Sequence, residues 1–346
     1  MKKLFIRFTV TVFAMLIPAA AVCSDKVFVY NWTEYIPDAV LQQFTEETGI
    51  KVIYTTYESN EAMYAKLKLM DGTGYDVVFP STYYVNKMAK EGLLQVVDHE
   101  LIPNINGLDA LLLDKDYDPD NTYSIPYMWG STGIAVNSEL IPIEKVTSWK
   151  DLWNEEYRGQ LLLHDDLREV FHIALSIKGY SSNTRNPKEI EEAYLLLKEL
   201  MPNVLLFNSD SPRMPYLAGE ATIGMIWNGE AYMAQEENPA IAYVYPTEGA
   251  NFWVDSFVIP KGAKNIENAH KFINFMLRPD IAQACVESVG YATPVLTALP
   301  LLDEQLRNNP ILFPSRAAIE AGEFQTDVGE ALPVYQKFWE KLRSGN

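Results

Sequence analysis

Three rounds of strand followed by helix between residues 26 and 92 restrict this chain more than any other feature. Lys26–Tyr30 alternates apolar and polar side chains and reads as a strand. Pro37 and Asp38 open a helix with Val40, Leu41 and Phe44 on its apolar stripe, and Gly49 closes it. Lys51–Tyr57 is the next strand, Glu61–Met70 the next helix, and Tyr75–Phe79 the third strand. A third helix runs from there to about Lys90. Alternation of this kind dictates a parallel sheet with helices on its faces.

Further along, two long apolar segments break the alternation. Tyr123–Val136 holds Gly130 and Gly133 and reads as a passage into a second lobe, and Phe252–Ile259 reads as the passage back. Tyr291–Pro294, after Gly290, reads as a third crossing. The second lobe would hold the short strand Leu161–Leu163, a helix Pro187–Leu200 capped by Asn186, and the strands Thr222–Trp227 and Ala242–Tyr245. An amphipathic helix Glu267–Leu277 stops at Pro279, and another lies around Val334–Leu342. The expected fold is therefore α/β, a two-lobed clamshell, with each lobe a doubly wound sheet flanked by helices. Its lobes would be residues 24–132 plus 255–299 and residues 133–254 plus 300–346. A length of 346 residues suits two lobes with their own cores.

The start of the chain reads as a leader. Lys2, Lys3 and Arg7 precede an apolar run from Phe8 to Ala21, and Ala19 and Ala21 form an A-x-A cleavage site. We expect a signal peptide of residues 1–21, or 1–23, and export to a bacterial periplasm. Val22 before Cys23 argues against a lipid anchor. The whole chain carries a formal charge of −18, and loss of the leader's three cations makes the remainder more acidic still. Such acidity speaks against nucleic acid and anionic membranes as partners, and suits a cationic ligand. After cleavage beyond Cys23 only Cys285 remains, which excludes an internal disulfide, whereas a cut after Ala21 leaves both cysteines with their pairing open.

Open α/β sheets bind ligands beyond the carboxyl ends of their strands. The residues at those positions share a short vocabulary. The first strand delivers Trp32, Thr33, Glu34 and Tyr35, and the third delivers Ser81 and Tyr83. The leucine strand delivers Asp166 and Glu169, which lie three apart on a first helical turn. Thr222–Ile226 leads to Trp227, the returning strand carries Trp253 and Asp255, and Tyr291 sits at the last crossing. Each has an ordinary structural reading. Asp-x-x-Glu before an apolar run is a helix cap, and a tryptophan is usually partly buried core. Six separate segments placing rings or acids at one edge form a pattern that separate core roles do not explain.

Rings together with acids suit an elongated organic cation. A ring face attracts an ammonium by roughly 0.5–2 kcal/mol. A carboxylate at about 4 Å contributes roughly 4 kcal/mol at an effective dielectric near 20, before desolvation costs. Each buried methylene adds roughly 0.8 kcal/mol. A linear polyamine, with ammoniums spaced by methylenes, has this form. Two rivals are weighed beside it. Asp166 and Glu169 could be a glycosidase pair, but that chemistry needs one acid of raised pKa, Arg168 between them in sequence could keep both ionised, and there is no G-x-S-x-G, H-E-x-x-H or P-loop. A ferric-iron clamshell would use tyrosines with a histidine, yet His99, His164, His172 and His270 are scattered, and only His164 falls near the proposed cleft.

Across the whole mature chain the sequence resembles the periplasmic spermidine/putrescine-binding proteins of bacterial polyamine ABC transporters. The resemblance is carried by YNWTEYIP at Tyr30–Pro37, TYESNEAMYAKLK at Thr56–Lys68, PSTYYV at Pro80–Val85 and YSIPYMWG at Tyr123–Gly130. DDLREVF at Asp165–Phe171, GMIWNG at Gly224–Gly229, FWVDS at Phe252–Ser256, GYATP at Gly290–Pro294 and EFQTDVG at Glu323–Gly329 complete it. It implies a type II-like periplasmic binding protein clamshell, without a cofactor, metal or catalytic role. Trp32, Tyr35, Tyr83, Trp227, Trp253 and Tyr291 would wall the polyamine. Glu34, Asp166, Glu169 and Asp255 would meet its nitrogens. Thr33, Ser81 and Gln325 would add polar contacts, Gln325 on the resemblance alone. Phe324 stands where the family would have tryptophan. Acids available at more than two points along the channel predict spermidine over putrescine, and the resemblance implies the membrane permease of an ABC transporter as partner. A putrescine-preferring or ferric-iron protein is the alternative.

Overall fold

The structure, a computed structural model, describes residues 25–344. The expected leader Met1–Ala21 and Cys23 lie outside the described residues. Ten strands follow in order: β1 (Lys26–Trp32), β2 (Lys51–Tyr57), β3 (Val77–Val78), β4 (Ser124–Asn137), β5 (Leu161–Leu163), β6 (Val204–Phe207), β7 (Ile223–Trp227), β8 (Ile241–Val244), β9 (Asn251–Val258) and β10 (Glu323–Phe324). The helices that matter below are α1 (Asp38–Thr48), α2 (Asn60–Leu69), α3 (Thr82–Lys90), α4 (Leu167–Ile177), α5 (Pro187–Leu200), α6 (Arg213–Leu217), α7 (Asn228–Glu237), α8 (Ile266–Met276) and α9 (Pro279–Val289). A last helix spans Leu332–Ser344.

Each half of the molecule has a parallel core. In the first, β1 lies between β2 and β3, parallel to both. In the second, β5 lies between β6 and β7 in the same way. The two halves share one ten-stranded sheet, because β4 and β9 run through both. They pair antiparallel from Ser124–Val258 to Thr132–Asn251. One end of β9 pairs with β3, and the far end of β4 pairs with β7 and β8. The sequence places both segments as separate crossings. It does not show that they form a single ladder, since partners more than a hundred residues apart leave no local signal.

Local chemistry explains the elements. Gly49 closes α1 in the left-handed conformation, at φ 72°. Ser59 caps α2 and Asn186 caps α5 ahead of Pro187. The expected third strand Tyr75–Phe79 shrinks to Val77–Val78 for a polar reason. The Asp76 carboxylate takes the Phe28 amide at 2.9 Å, so a side chain replaces a ladder bond there. β6, α9 and β10 are additions to the sequence reading.

Two apolar cores lie on either side of the cleft. One packs Val27, Val29 and Phe44 against Phe257 and Phe272, and takes in Trp253 and Tyr291. The other packs Leu161, Leu163, Val170 and Phe171 against Ile223 and Tyr335 of the last helix. Trp227 projects from the end of β7, in the second half, and packs against the first core. Cys285 is a buried free thiol.

Candidate functional site

A cavity of about 680 Å³ opens between the halves. All thirteen residues expected from the sequence line it: Trp32, Thr33, Glu34, Tyr35, Ser81, Tyr83, Asp166, Glu169, Trp227, Trp253, Asp255, Tyr291 and Gln325. They come from strand ends and first helical turns, from within β9 (Trp253 and Asp255), from the stretch after α9 (Tyr291) and from the segment after β10 (Gln325).

Asp255 lies on the floor. β9 carries it to a bridge with Ser81, at the N-cap of α3. Ser81 Oγ donates to its carboxylate at 2.6 Å and Tyr35 Oη at 2.8 Å. Asn60 in turn holds Ser81, its Nδ2 donating to Oγ at 3.0 Å and its Oδ1 accepting from the Ser81 amide at 3.1 Å. Burial pushes the Asp255 pKa up to about 7; the two hydroxyls oppose that rise, and the charge of Glu169 adds to it. No cationic group is among its partners.

Asp166 serves two purposes. It is the N-cap of α4, its Oδ1 accepting from the amides of Arg168 at 2.8 Å and Glu169 at 3.0 Å. It also forms cavity wall. The cap and the site are one residue, because a carboxylate has lone pairs left after the cap is satisfied. Burial raises its pKa to about 8, helped by the nearby charges of Glu61 and Glu169. Glu169 sits against Trp227 Nε1 at 3.4 Å and His164 Nδ1 at 3.4 Å. His164 is wholly buried, its ring 4.3 Å from that of Trp227.

One expectation fails here. The Arg168 guanidinium does not pair with Asp166 or Glu169. Its guanidinium points to the carbonyls of Thr326 and Ser182 and to Asn183 Oδ1, at 3.0–3.1 Å. It stacks over Tyr83 and Tyr335 at 5.5 Å. Sequence adjacency misleads because successive helical residues face different directions. The charged end of Arg168 therefore ties α4 to the segment around Thr326, rather than neutralising the acids.

The rings are fixed by their neighbours. Trp253 and Tyr291 meet edge to face, 5.3 Å apart, and Tyr35 meets Tyr291 at 5.7 Å. Trp32 Nε1 donates to the Phe79 carbonyl at 2.9 Å. Two glycines make room. A Cβ on Gly130 would lie 2.5 Å from the Trp253 ring, and one on Gly229 would lie 2.4 Å from that of Tyr291. Tyr83 Oη, Trp253 Nε1 and Gln325 Nε2 are buried with no internal hydrogen-bond partner. Glu34 differs from the other acids. It adopts φ 54°, its side chain is 79% exposed, and it sits at the rim.

The sequence reading passed over several lining residues. Tyr57 ends β2, a strand end it did not collect. Glu230 lies three residues after Trp227 on the first turn of α7, a spacing that repeats Asp166–Glu169 and could have signalled it. Arg213, on the very short α6, carried no such signal. Among the described residues no group of three or more His, Cys, Asp or Glu side chains is placed to hold a metal ion.

An α/β frame with a deep acidic and aromatic cavity between two halves defines a solute-binding protein. The chain belongs to the bacterial extracellular solute-binding protein family, whose pattern matches residues 39–314. More particularly, it is 53% identical over 322 residues to the spermidine/putrescine-binding periplasmic protein of Escherichia coli (strain K12), covering 93% of this chain and 92% of that one. It is 31% identical to the putrescine-binding periplasmic protein PotF of the same organism, covering 92% of this chain and 91% of that one. The spermidine/putrescine ABC transporter substrate-binding protein PotD of Streptococcus pneumoniae superposes with a TM-score of 0.81 at 38% identity, covering 93% of this chain and 99% of that one. The family is one of solute carriers, so the cavity binds rather than catalyses. No helix among the described residues is long and apolar enough to cross a membrane.

Proposed function

We propose that this protein captures polyamines between its two lobes, spermidine more tightly than putrescine, and delivers them to the permease of an ABC transporter. The observation that carries the reading is a pair of carboxylates, Asp255 buried and Asp166 half-buried, with no cationic partner, in a cavity walled by aromatic rings. A buried acid left without a counter-charge is costly unless the ligand supplies one. Ammoniums supply the charge, and methylenes cover the rings. The thirteen residues named above form the proposed binding set, with Glu34, Asp166, Glu169 and Asp255 meeting nitrogens. The acids stand at more than two points along the cavity, which favours three nitrogens over two. The lobes are assigned as residues 24–132 plus 255–299 and residues 133–254 plus 300–346. The relatives named above and the N-terminal leader support a periplasmic location, and N-terminal sequencing of the exported protein would test cleavage after Ala21.

The test is calorimetric titration of the purified mature protein with spermidine and putrescine, with tryptophan fluorescence as a second readout. Spermidine should bind tighter. Equal or tighter binding of putrescine would overturn the preference, and no binding of either would overturn the reading.

A further inference from the structure

Among the described residues lining the cavity, Arg213 is the one cationic side chain. It opens α6, and its Nη1 donates to both carboxylate oxygens of Glu230, at 2.9 and 3.0 Å. Its Nη2 lies 3.8 Å from Glu34 and its Nε 4.0 Å from Glu237. Glu34 follows β1 in one half, while Arg213 and Glu230 belong to the other, so the cluster bridges the mouth of the cleft. Glu34 and Glu237 are exposed, whereas Arg213 and Glu230 are largely covered. The rim is thus already partly neutralised by the protein itself. The inner acids Asp166 and Asp255 have no such partner.

We propose that Arg213 determines specificity as a resident cation at the rim, holding two carboxylates that would otherwise receive an ammonium and so limiting how many nitrogens the cavity accepts. This rests on the polyamine reading. A ligand nitrogen arriving at Glu34 meets a guanidinium that already shares that acid, and like charges at such distances repel. The cost falls on the longer amine. A diamine or a triamine can be met by Asp166, Glu169 and Asp255 without reaching the rim. A tetra-amine would have to place a nitrogen beside Arg213. The two charge-assisted bonds from Nη1 to Glu230 keep the arginine from swinging aside.

Calorimetric titration with putrescine, spermidine and spermine, which carry two, three and four nitrogens, tests this. In R213Q the affinity for spermine relative to putrescine should rise by about tenfold or more, since Glu34 and Glu230 both become available. In R213Q/E230Q, which removes the buried pair together and so protects folding, the ratio should rise by about threefold. R213K keeps a cation and should keep the wild-type ratio, an outcome that a purely packing role for the guanidinium would not give. A ratio within about twofold of wild type in R213Q, or in the double variant where R213Q does not fold, overturns the proposal. If the wild-type protein binds none of the three amines, the polyamine reading falls and this one with it; if it binds them but the ratio does not move, this one falls alone.

Discussion

Asp76, just before β3, and Asp255, within β9, are both buried aspartates in the interior of one sheet, yet their surroundings differ. Asp76 accepts four donors: the amides of Phe28, Lys264 and Asn265 and the Asn265 side-chain amide, at 2.9–3.0 Å. An ionised carboxylate has about four lone-pair sites, so the fold fills this one completely. Asp255 accepts two hydroxyls and nothing more. Half of its capacity is open, on the side that faces the cavity. The lesson is that two buried acids can differ in how far the fold satisfies them, and the count of internal donors marks Asp255 as the one with capacity left for a ligand.

That contrast can be broken in several ways. The largest effect belongs to Asp76. D76N should cost about 2 kcal/mol of stability, roughly thirtyfold in the folding equilibrium, because amide donors are left facing an NH₂. Spermidine affinity of the folded fraction should stay within about threefold. Urea unfolding and calorimetry would read both, and a stable D76N protein with lost binding would reverse the assignment. D255N should show the opposite pattern. It should keep its stability and weaken spermidine binding by more than about tenfold, through loss of a buried charge at the ligand. W253A should weaken binding by a similar factor, through lost ring contact. Wild-type affinity in either would remove that residue from the site.

Acidity probes the same contrast on a smaller scale. Burial raises Asp255 to about 7 and Asp166 to about 8 in the free protein. Both are above the unfolded value near 4, so the free folded state holds protons that the unfolded state has released. The stability this contributes is fully present below about pH 4 and is lost as pH rises through about 7 to 8. An ammonium ligand requires the ionised acids, so its affinity moves the other way. It should rise between about pH 6 and 8, by at most about tenfold per unit for each proton released. Calorimetry at pH 7 in buffers of differing ionisation heat should detect that proton release, and its absence would mean that the acids are already ionised. Added salt should have the mildest effect, a loss of about threefold between 0.05 and 0.2 M, because enclosed pairs are screened less than surface ones. A far steeper loss would place the contacts at the rim rather than the floor.

How far the sequence alone reaches follows the same line. Strand ends and first helical turns are local, so Trp32, Tyr83, Asp166, Glu169 and Trp227 could be read directly. Asp166 showed a limit of that reading: cap and ligand site look like alternatives in a sequence, while one carboxylate can do both. Gln325 entered only by resemblance, because its position depends on β10 pairing with Asn251 and Phe252, some seventy residues away. Arg213 was invisible for a similar reason: Glu34, its partner across the cleft, lies far away in the chain. Arg168 showed the converse, a neighbour in sequence that turns away in space. Whatever depended on distant pairing, including the β4–β9 ladder, stayed hidden.

That ladder carries a mechanical consequence. Two antiparallel strands tie the halves together, and their register slips between Pro126 and Met128. Pro126 has no amide proton to contribute, so the ribbon is softest at that slip. Drawing the halves apart would wring the ribbon like a torsion bar, with its hydrogen bonds twisting and none parting. Asp255 pairs with Met128 directly beside the slip, so the acid on the cavity wall that is proposed to grip the cargo also sits where the bar yields.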